Sequence, residues 1–386
     1  MHFKHSEALS FGIELELQLV SPGTGRLSPS ADKVQAHLAT GPHATRFALE
    51  ATLATLEVNS SIHSRGDAMM EEMRLLVEQA RQAAQANGCD IRGGGTQVTQ
   101  FWNERVTAPG ARAKELEQRF GFLPKRFSTY GMHVHVGMPD AEAAIRVANV
   151  LQALCPLFIA LSAASPFLQL TDTGFAASRP LEPLVYPNGG PMPVLSDWAE
   201  FEHVVQELFA TQIAHTLKDI YWDVRPKPEF GTVEVRVFDT PLSVHKAVTL
   251  AAYTRQLAAL ALHHQLELPR DVGAQQVPRR VSRFLACRDG MDAELFNPFT
   301  GQWTAARAWL ESTIEQLERG ALLPRESQWS VQLQRYARRP QDHEIMRQAW
   351  NDVATGLGAH DAVEPALVGY SSAMCHRLLA APVSDE

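Results

Sequence analysis

Residues 11–18 read FGIELELQ, with Phe11, Ile13, Leu15 and Leu17 at odd positions and Gly12, Glu14, Glu16 and Gln18 at even ones. Strict alternation over eight residues predicts a half-buried β-strand. Successive side chains of a strand point to opposite faces, so Glu14 and Glu16 share one face, about 6–7 Å apart. Two carboxylates that close repel unless a cation lies between them or solvent screens them. One face of this strand suits a core, and the other calls for positive charge.

Two more stretches repeat the habit. In GMHVHVG (131–137), Met132, Val134 and Val136 take one face, and His133 and His135 take the other. In GTVEVRVF (231–238), Val233, Val235 and Val237 oppose Glu234 and Arg236. An antiparallel sheet with one wet face also alternates in this way. If the three strands share a sheet, metal binding explains the Glu-x-Glu, His-x-His and Glu-x-Arg faces economically. The stretch ALEATLATLEVNS (48–60) adds Glu50 and Glu57, seven apart. Read as a helix, it puts both on one face, two turns apart.

Together, Glu14, Glu16, Glu50, Glu57 and Glu234 offer oxygen and His133 offers nitrogen. A carboxylate-rich set suits Mg²⁺ or Mn²⁺ better than Zn²⁺. Hard divalent ions beside an arginine are the parts of phosphoryl transfer. RPKPEFG puts Arg225 and Lys227 just before the third strand, where they could hold a carboxylate or a phosphate or be plain loop charges. IRGGGT (91–96) reads as a tight turn, since it lacks the Gly-Lys-Ser/Thr ending of a P-loop.

The rest of the 386-residue chain is consistent with one large α+β domain over 1–386, with a helical C-terminal third from about 243 to 380. Helices are expected over 68–86 (capped by Asp67, stopped by Gly88), from Asp140 to about 163, over 244–267, and near 303–318 and 341–357. The Pro- and Gly-rich stretch 171–195 reads as an ordered loop carrying Arg179. The net charge of −8 and pI near 6.0 argue against nucleic-acid or membrane-surface binding. No stretch reads as long enough to cross a membrane, the most apolar run being near 147–164. The N-terminus lacks the apolar core of a signal peptide. Cys89, Cys155, Cys287 and Cys375 form no CxxC and read as reduced thiols, hence a cytoplasmic expectation.

These residues resemble a known family, the YbdK-type carboxylate–amine ligases, also labelled glutamate–cysteine ligase type 2. The landmarks are FGIELELQLV, RGGGTQ, YGMHVHVGMP, LSAASPFLQLTDTGFAASR, KDIYWDVRPKPEFGTVEVRVFDTPL and RQAW. The resemblance runs from about residue 8 to 375. It implies a glutamine synthetase-like fold, mainly an antiparallel sheet whose concave face is the active site, packed with helices. It implies ATP with Mg²⁺ or Mn²⁺. It assigns Glu14, Glu16, Glu50, Glu57, His133 and Glu234 to metal, His135 to the nucleotide, and Arg236 to the phosphate.

The implied reaction is ATP-dependent amide formation through an acyl-phosphate, between a small carboxylate and an amine. Family labels name L-glutamate and L-cysteine. Arg236 and Glu234 are the catalytic candidates. His135, Arg236 and Lys227 are candidates for the nucleotide, and Arg179 and Arg225 for a substrate carboxylate. A homodimer is also implied. One departure stands out: Gln97 follows Gly95-Thr96 where relatives often carry histidine. Two rival readings are a metal-dependent hydrolase built on His133-x-His135, which would need further histidine ligands, and a nucleotide-binding relative without catalysis.

Overall fold

The computed structural model describes residues 1–99, 101–126, 128–354 and 363–381. The opening stretch is strand β1 (Phe11–Val20). The same sheet contains β2 (Phe47–Leu49), β3 (Thr55–Asn59), β4 (Asp90–Arg92), β5 (Gly131–Gly137), β6 (Val224–Lys227) and β7 (Thr232–Asp239). Its order is β6-β7-β5-β1-β3-β2, with β4 continuing beside the end of β1. Every pairing in it is antiparallel. The three alternating strands are therefore neighbours, and their register sets Glu14 opposite His133 and Glu234 opposite His135.

The apolar face is the core. Ile13, Leu15, Leu17, Val134, Val136, Val233 and Val235 are all buried. Burying such a side chain fully contributes roughly 1.5–3 kcal/mol each. Helix α1 spans Gly66–Ala86, α2 spans Ala141–Ser162 and α3 spans Val244–Leu262. Helix α2 packs on β6 and β7, α3 packs on β1 and β5, and α1 packs on α3. The Asp140 carboxylate accepts the Ala143 N–H at 2.7 Å and so caps α2 as expected. The sequence had suggested no membrane-length segment, yet α2 is long and apolar enough to cross a membrane. Its apolar window is 89% buried inside the protein, because it is covered on all sides.

Several expectations need correction. Helix α1 starts at Gly66, one residue before Asp67, whose carboxylate instead accepts the Ala68 N–H within the first turn. Residues 48–60 are not a helix: β2 ends at Leu49 and β3 carries Glu57, because β-branched Thr55 and Val58 fit a strand between β1 and β2. Arg225 and Lys227 lie not in a loop but on β6, buried against β7. Helix α3 stops at Leu262, short of 267.

The C-terminal third is helical, with segments at Gln276–Asp289, Ala306–Gly320, Ser327–Ala337, Asp342–Ala354 and Val363–Arg377. A hairpin of Glu294–Asn297 and Gln302–Ala305 precedes the second of these and delays its start to 306. Residues 355–357 of the expected 341–357 helix lie outside the described residues. The 171–195 stretch is ordered around a 3₁₀ turn, Arg179–Val185. Its start is pinned at Ser165, whose carbonyl accepts the Ser178 N–H and whose hydroxyl accepts the Arg179 N–H at 3.0 Å.

Candidate active site

The polar face of the sheet gathers two clusters of acidic donors. In the first, Glu14, His135 and Glu234 each offer one atom, all within 4.8 Å of one another. In the second, Glu16, Glu50 and Glu57 do the same. Strand pairing explains both. Glu16 stands opposite Glu57 on β3, and Glu50 follows β2, which pairs with β3. The seven-residue spacing of Glu50 and Glu57 thus works through a turn between strands rather than through a helix.

The first cluster is braced on every side. His133 Nδ1 lies 2.8 Å from Glu14 Oε2 and 3.8 Å from Glu234 Oε1. His135 Nε2 lies 3.2 Å from Glu14 Oε1 and 3.7 Å from Glu234 Oε1. Arg225 Nε and an Arg236 guanidinium nitrogen each approach a Glu234 oxygen to 2.5 Å. A β-bulge between Val235 and Phe238 interrupts the β7–β5 register opposite His133. Bulges re-aim side chains, and here Arg236 turns to within 3.4 Å of His133.

Burial works to raise the Glu14 and Glu234 pKa values. The neighbouring His133 and His135 outweigh it at Glu14, and the charges of Arg236 and Arg225 outweigh it at Glu234. Both carboxyls are held well below the ordinary range and stay ionised. Burial, followed by the charge of Arg236, pushes His133 down to about 4, so it is neutral at physiological pH.

The second cluster behaves in the opposite way. Burial raises Glu16 to about 7 even though Arg179 and the Gly131 N–H favour its charged form. Burial and then the charge of Glu50 raise Glu57 to about 9. Glu50 is raised by burial and by Glu16. Three carboxyls that resist ionising together make a site that a divalent cation would relieve.

The residues present fit such ions. His135 Nε2 is buried with no well-aligned hydrogen-bond partner, while His135 Nδ1 lies 3.0 Å from the Thr232 hydroxyl. With Nδ1 protonated and donating to Thr232, Nε2 presents its lone pair to Glu14 and Glu234, the usual arrangement behind a metal-bound imidazole. Oxygen donors plus one imidazole suit Mg²⁺ or Mn²⁺. Of the two histidines, His135 completes a three-donor set, and His133 lies beside it against Glu14.

The other expected site residues take varied places. Arg179 donates to the Arg236 and Val237 carbonyls at 3.3 and 3.4 Å, bracing the bulge. Arg225 pairs with Glu234 and donates to the Leu217 and Ile220 carbonyls, so it positions Glu234. Lys227 pairs with Glu229 at 2.7 Å and sits 5.2 Å from the Phe230 ring, whose centroid is 6.0 Å from that of His135. Gln97 is buried and its carbonyl accepts from Arg92 and from the Val98 N–H.

Sequence reasoning missed Asn59, which donates to Glu57 at 2.7 Å, and Thr232. Both lie two residues from a chosen glutamate, so the same alternation would have found them. It also missed Asp223 and Arg283, for which no local pattern exists.

A family model described as glutamate–cysteine ligase family 2 matches residues 10–356. The chain is 38% identical over 321 residues to a protein of Methylibium petroleiphilum named "Putative glutamate–cysteine ligase 2", covering 83% of this chain and 86% of that one. A like-named protein of Bordetella avium is 39% identical over 297 residues, covering 77% and 73%. Among solved structures, glutamate–cysteine ligase of Francisella tularensis in complex with AMP superposes with a TM-score of 0.66 at 12% identity, covering 97% of this chain and 90% of that one. A bifunctional glutathione synthetase of Pasteurella multocida gives a TM-score of 0.66 at 14% identity, covering 95% and 53%. The antiparallel sheet packed with helices is the α+β arrangement that the resemblance implied, and these two proteins share it. Since the family model spans most of the chain and relatives at this identity cover more than two thirds of it, the chain belongs to the glutamate–cysteine ligase family 2.

Proposed function

We propose that this protein is an ATP-dependent ligase that joins a small carboxylate to an amine through an acyl-phosphate. The observation that carries the reading is the pair of acidic clusters on one sheet face with Arg236 acting on both. Arg236 feels the charges of Glu234 and Glu14 from one cluster and of Glu16 from the other. Glu14, His135 and Glu234 would hold one divalent ion, and Glu16, Glu50 and Glu57 a second. Bound Mg²⁺ or Mn²⁺ would neutralise ATP phosphates and let an anionic carboxylate approach them.

The chain's own residues supply the rest. His133 orients Glu14, and Arg225 and Arg236 together orient Glu234. The remaining Arg236 donors stabilise charge on a phosphoryl group in transfer. The γ-phosphoryl passes to a carboxylate oxygen and ADP leaves. The amine nitrogen then attacks the acyl carbon, phosphate departs, and the nitrogen loses a proton. Lys227 and Phe230, beside His135, are the candidates for the nucleotide side. L-glutamate and L-cysteine are the first pair to test. The chain is read as one catalytic unit, since its main core runs from Leu9 to Leu378.

The test is ADP release from Mg-ATP with L-glutamate and other acids against a panel of amines, with amine-free controls. Release that needs both an acid and an amine supports the ligase. Nucleotide binding without release for any pair favours a non-catalytic relative. Metal-dependent hydrolysis without ATP favours the hydrolase. The hydrolase has little support here, since among the described residues neither acidic cluster contains more than one histidine.

A further inference from the structure

Helix α2 is buried along nearly its whole length, and after Ala141 only Glu142, Arg146 and Asn149 escape full burial. Their spacing of four and then three residues sets them on one side of the helix. That side lines a cavity of about 340 Å³. The rest of α2 packs into the core against β6 and β7. None of the residues lining the cavity belongs to either acidic cluster.

The walls are held in place without Arg146. Asn149 clamps the segment before the helix Trp198–Ala210: its amide donates to the Leu195 carbonyl at 2.7 Å, and its carbonyl accepts the Leu195 N–H at 3.2 Å. Glu142 accepts the Trp198 N–H at 3.3 Å. Val194 lines the cavity from this segment, and Glu267, Leu268 and Val272 line it from the chain that follows α3. Ile145 and Val150 of α2 complete an apolar wall with Val194, Leu268 and Val272.

Arg146 faces this wall with its donors uncommitted. Its Nε is buried without a hydrogen bond, and among the described residues its side chain makes no ion pair. Glu142 lies at the i, i+4 spacing at which helical ion pairs form, yet the two do not pair. Glu267 turns instead to His264, 2.5 Å away. Buried polar groups nearly always find partners, and buried charges are normally paired. The cavity thus combines one guanidinium, two carboxylates and an apolar wall.

We propose that this cavity binds a small α-amino acid with an apolar side chain, at a site separate from the acidic clusters. A guanidinium takes a carboxylate through paired, charge-assisted bonds. The Glu142 and Glu267 carboxylates are acceptors for an ammonium group. The same two glutamates repel a phosphate or another polyanion, since like charges brought together are costly. The apolar wall takes the side chain. The volume lies at the lower end of the roughly 300–1,000 Å³ typical of small-molecule sites, which suits a ligand of this size. The proposal goes beyond the ligase reading and uses none of its residues.

The test measures L-leucine binding to the full chain by calorimetry, without nucleotide. The comparators are 4-methylpentanoate and 3-methylbutylamine, each lacking one charge of L-leucine. Variants are Arg146→Met, Arg146→Lys and Glu267→Gln. Arg146→Met removes no hydrogen bond or ion pair, so its unfolding midpoint should match the wild type and lost binding is not lost folding. The proposal expects saturable L-leucine binding, with each comparator about tenfold or more weaker. It expects Arg146→Met to abolish binding, Arg146→Lys to recover part of it, and Glu267→Gln to weaken L-leucine but not 4-methylpentanoate. Saturating L-glutamate with Mn²⁺ and a non-hydrolysable ATP analogue should not displace L-leucine. No saturable L-leucine binding, equal binding of 4-methylpentanoate, binding that survives Arg146→Met, or displacement by that mixture overturns it. Failure of the ligase reading shows instead as absent ADP release with every acid and amine, and leaves these binding results unchanged.

Discussion

Arg225 and Glu234 stand opposite each other on adjacent strands, and their side chains meet at 2.5 Å with both almost fully buried. Among the described residues Arg225 pairs with no other acid, and one terminal nitrogen donates to the Leu217 and Ile220 carbonyls. These bonds hold its guanidinium in place against one carboxylate of the candidate metal site.

Replacing Arg225 by Met should leave the strand pairing intact but release Glu234 from one of its two arginines. Removing one partner of a buried pair typically costs about 3–5 kcal/mol. Arg236 still holds the other Glu234 oxygen, so the lower end is expected. Urea unfolding should show this loss, and Mn²⁺ titration should show weaker binding at the Glu14–His135–Glu234 cluster. Unchanged metal affinity would mean that Glu234 is positioned without Arg225.

A side chain at Gly131 is predicted to displace Arg179. A Cβ there would collide with the Arg179 guanidinium, which would have to leave the Arg236 and Val237 carbonyls. The Gly131 N–H anchors Glu16, so pushing Arg179 or the backbone aside disturbs the second cluster and the bulge together. Gly131→Ala should lower turnover by about 100-fold, the scale expected for misplacement near 1 Å. Adding Arg179→Ala should relieve the clash, so the two changes should combine non-additively in a double-mutant cycle. Strict additivity would show that the glycine is needed for another reason.

Period-two alternation made β1, β5 and β7 legible, along with the side-chain face of Glu14, Glu16, His133, His135, Glu234 and Arg236, because a sheet with one buried face imposes that pattern locally. Glu57 was found but placed on the wrong element, since TLATLEV supports either period over so short a run. The strand that carries Arg225 is hidden, because Pro226 and Pro228 disguise it as a loop. Pro226 is tolerated because β6 is the outermost strand of the sheet. Partners brought by distant chain, such as Arg283 from the helix Gln276–Asp289, leave no local trace. Their positions depend on packing across more than 50 residues of sequence.

Metal binding at the second cluster should release protons. Glu16 and Glu57 are raised to about 7 and about 9, so at neutral pH the cluster holds protons that a divalent cation must displace. Mn²⁺ affinity should therefore rise with pH between about 6 and 9, and calorimetry in buffers of different ionisation enthalpy should count the protons released. The sign for the metal-free protein is the reverse. A carboxyl whose folded pKa lies above its unfolded value favours folding at low pH, and that contribution is lost as pH rises through the folded value. The metal-free melting temperature should therefore lose this contribution as pH climbs from about 5 to 9, and Glu57→Gln should flatten the loss. A melting curve from Glu57→Gln with the wild-type pH dependence would place the titrating group elsewhere.

Arg283 closes a ring of contacts behind the bulge. It pairs with the Asp223 carboxylate and donates to the Pro180 carbonyl at 2.7 Å. The Asp223 carbonyl accepts the Arg236 N–H at 2.7 Å, and Arg179, next to Pro180, donates to the Arg236 carbonyl. Arg236 is thus held from both sides by backbone that Arg283 ties together. Arg283→Met would strand the buried Asp223 charge and loosen the bulge, at a cost of about 3–5 kcal/mol in stability. Arg283→Met with Asp223→Asn should recover much of that stability, because no unpaired charge remains. If Arg283 acts through Arg236, the double variant should still show a low kcat with a nearly unchanged KM for ATP, since transition-state contacts are lost while ground-state binding persists. Recovery of kcat together with stability would reduce Arg283 to a purely structural residue.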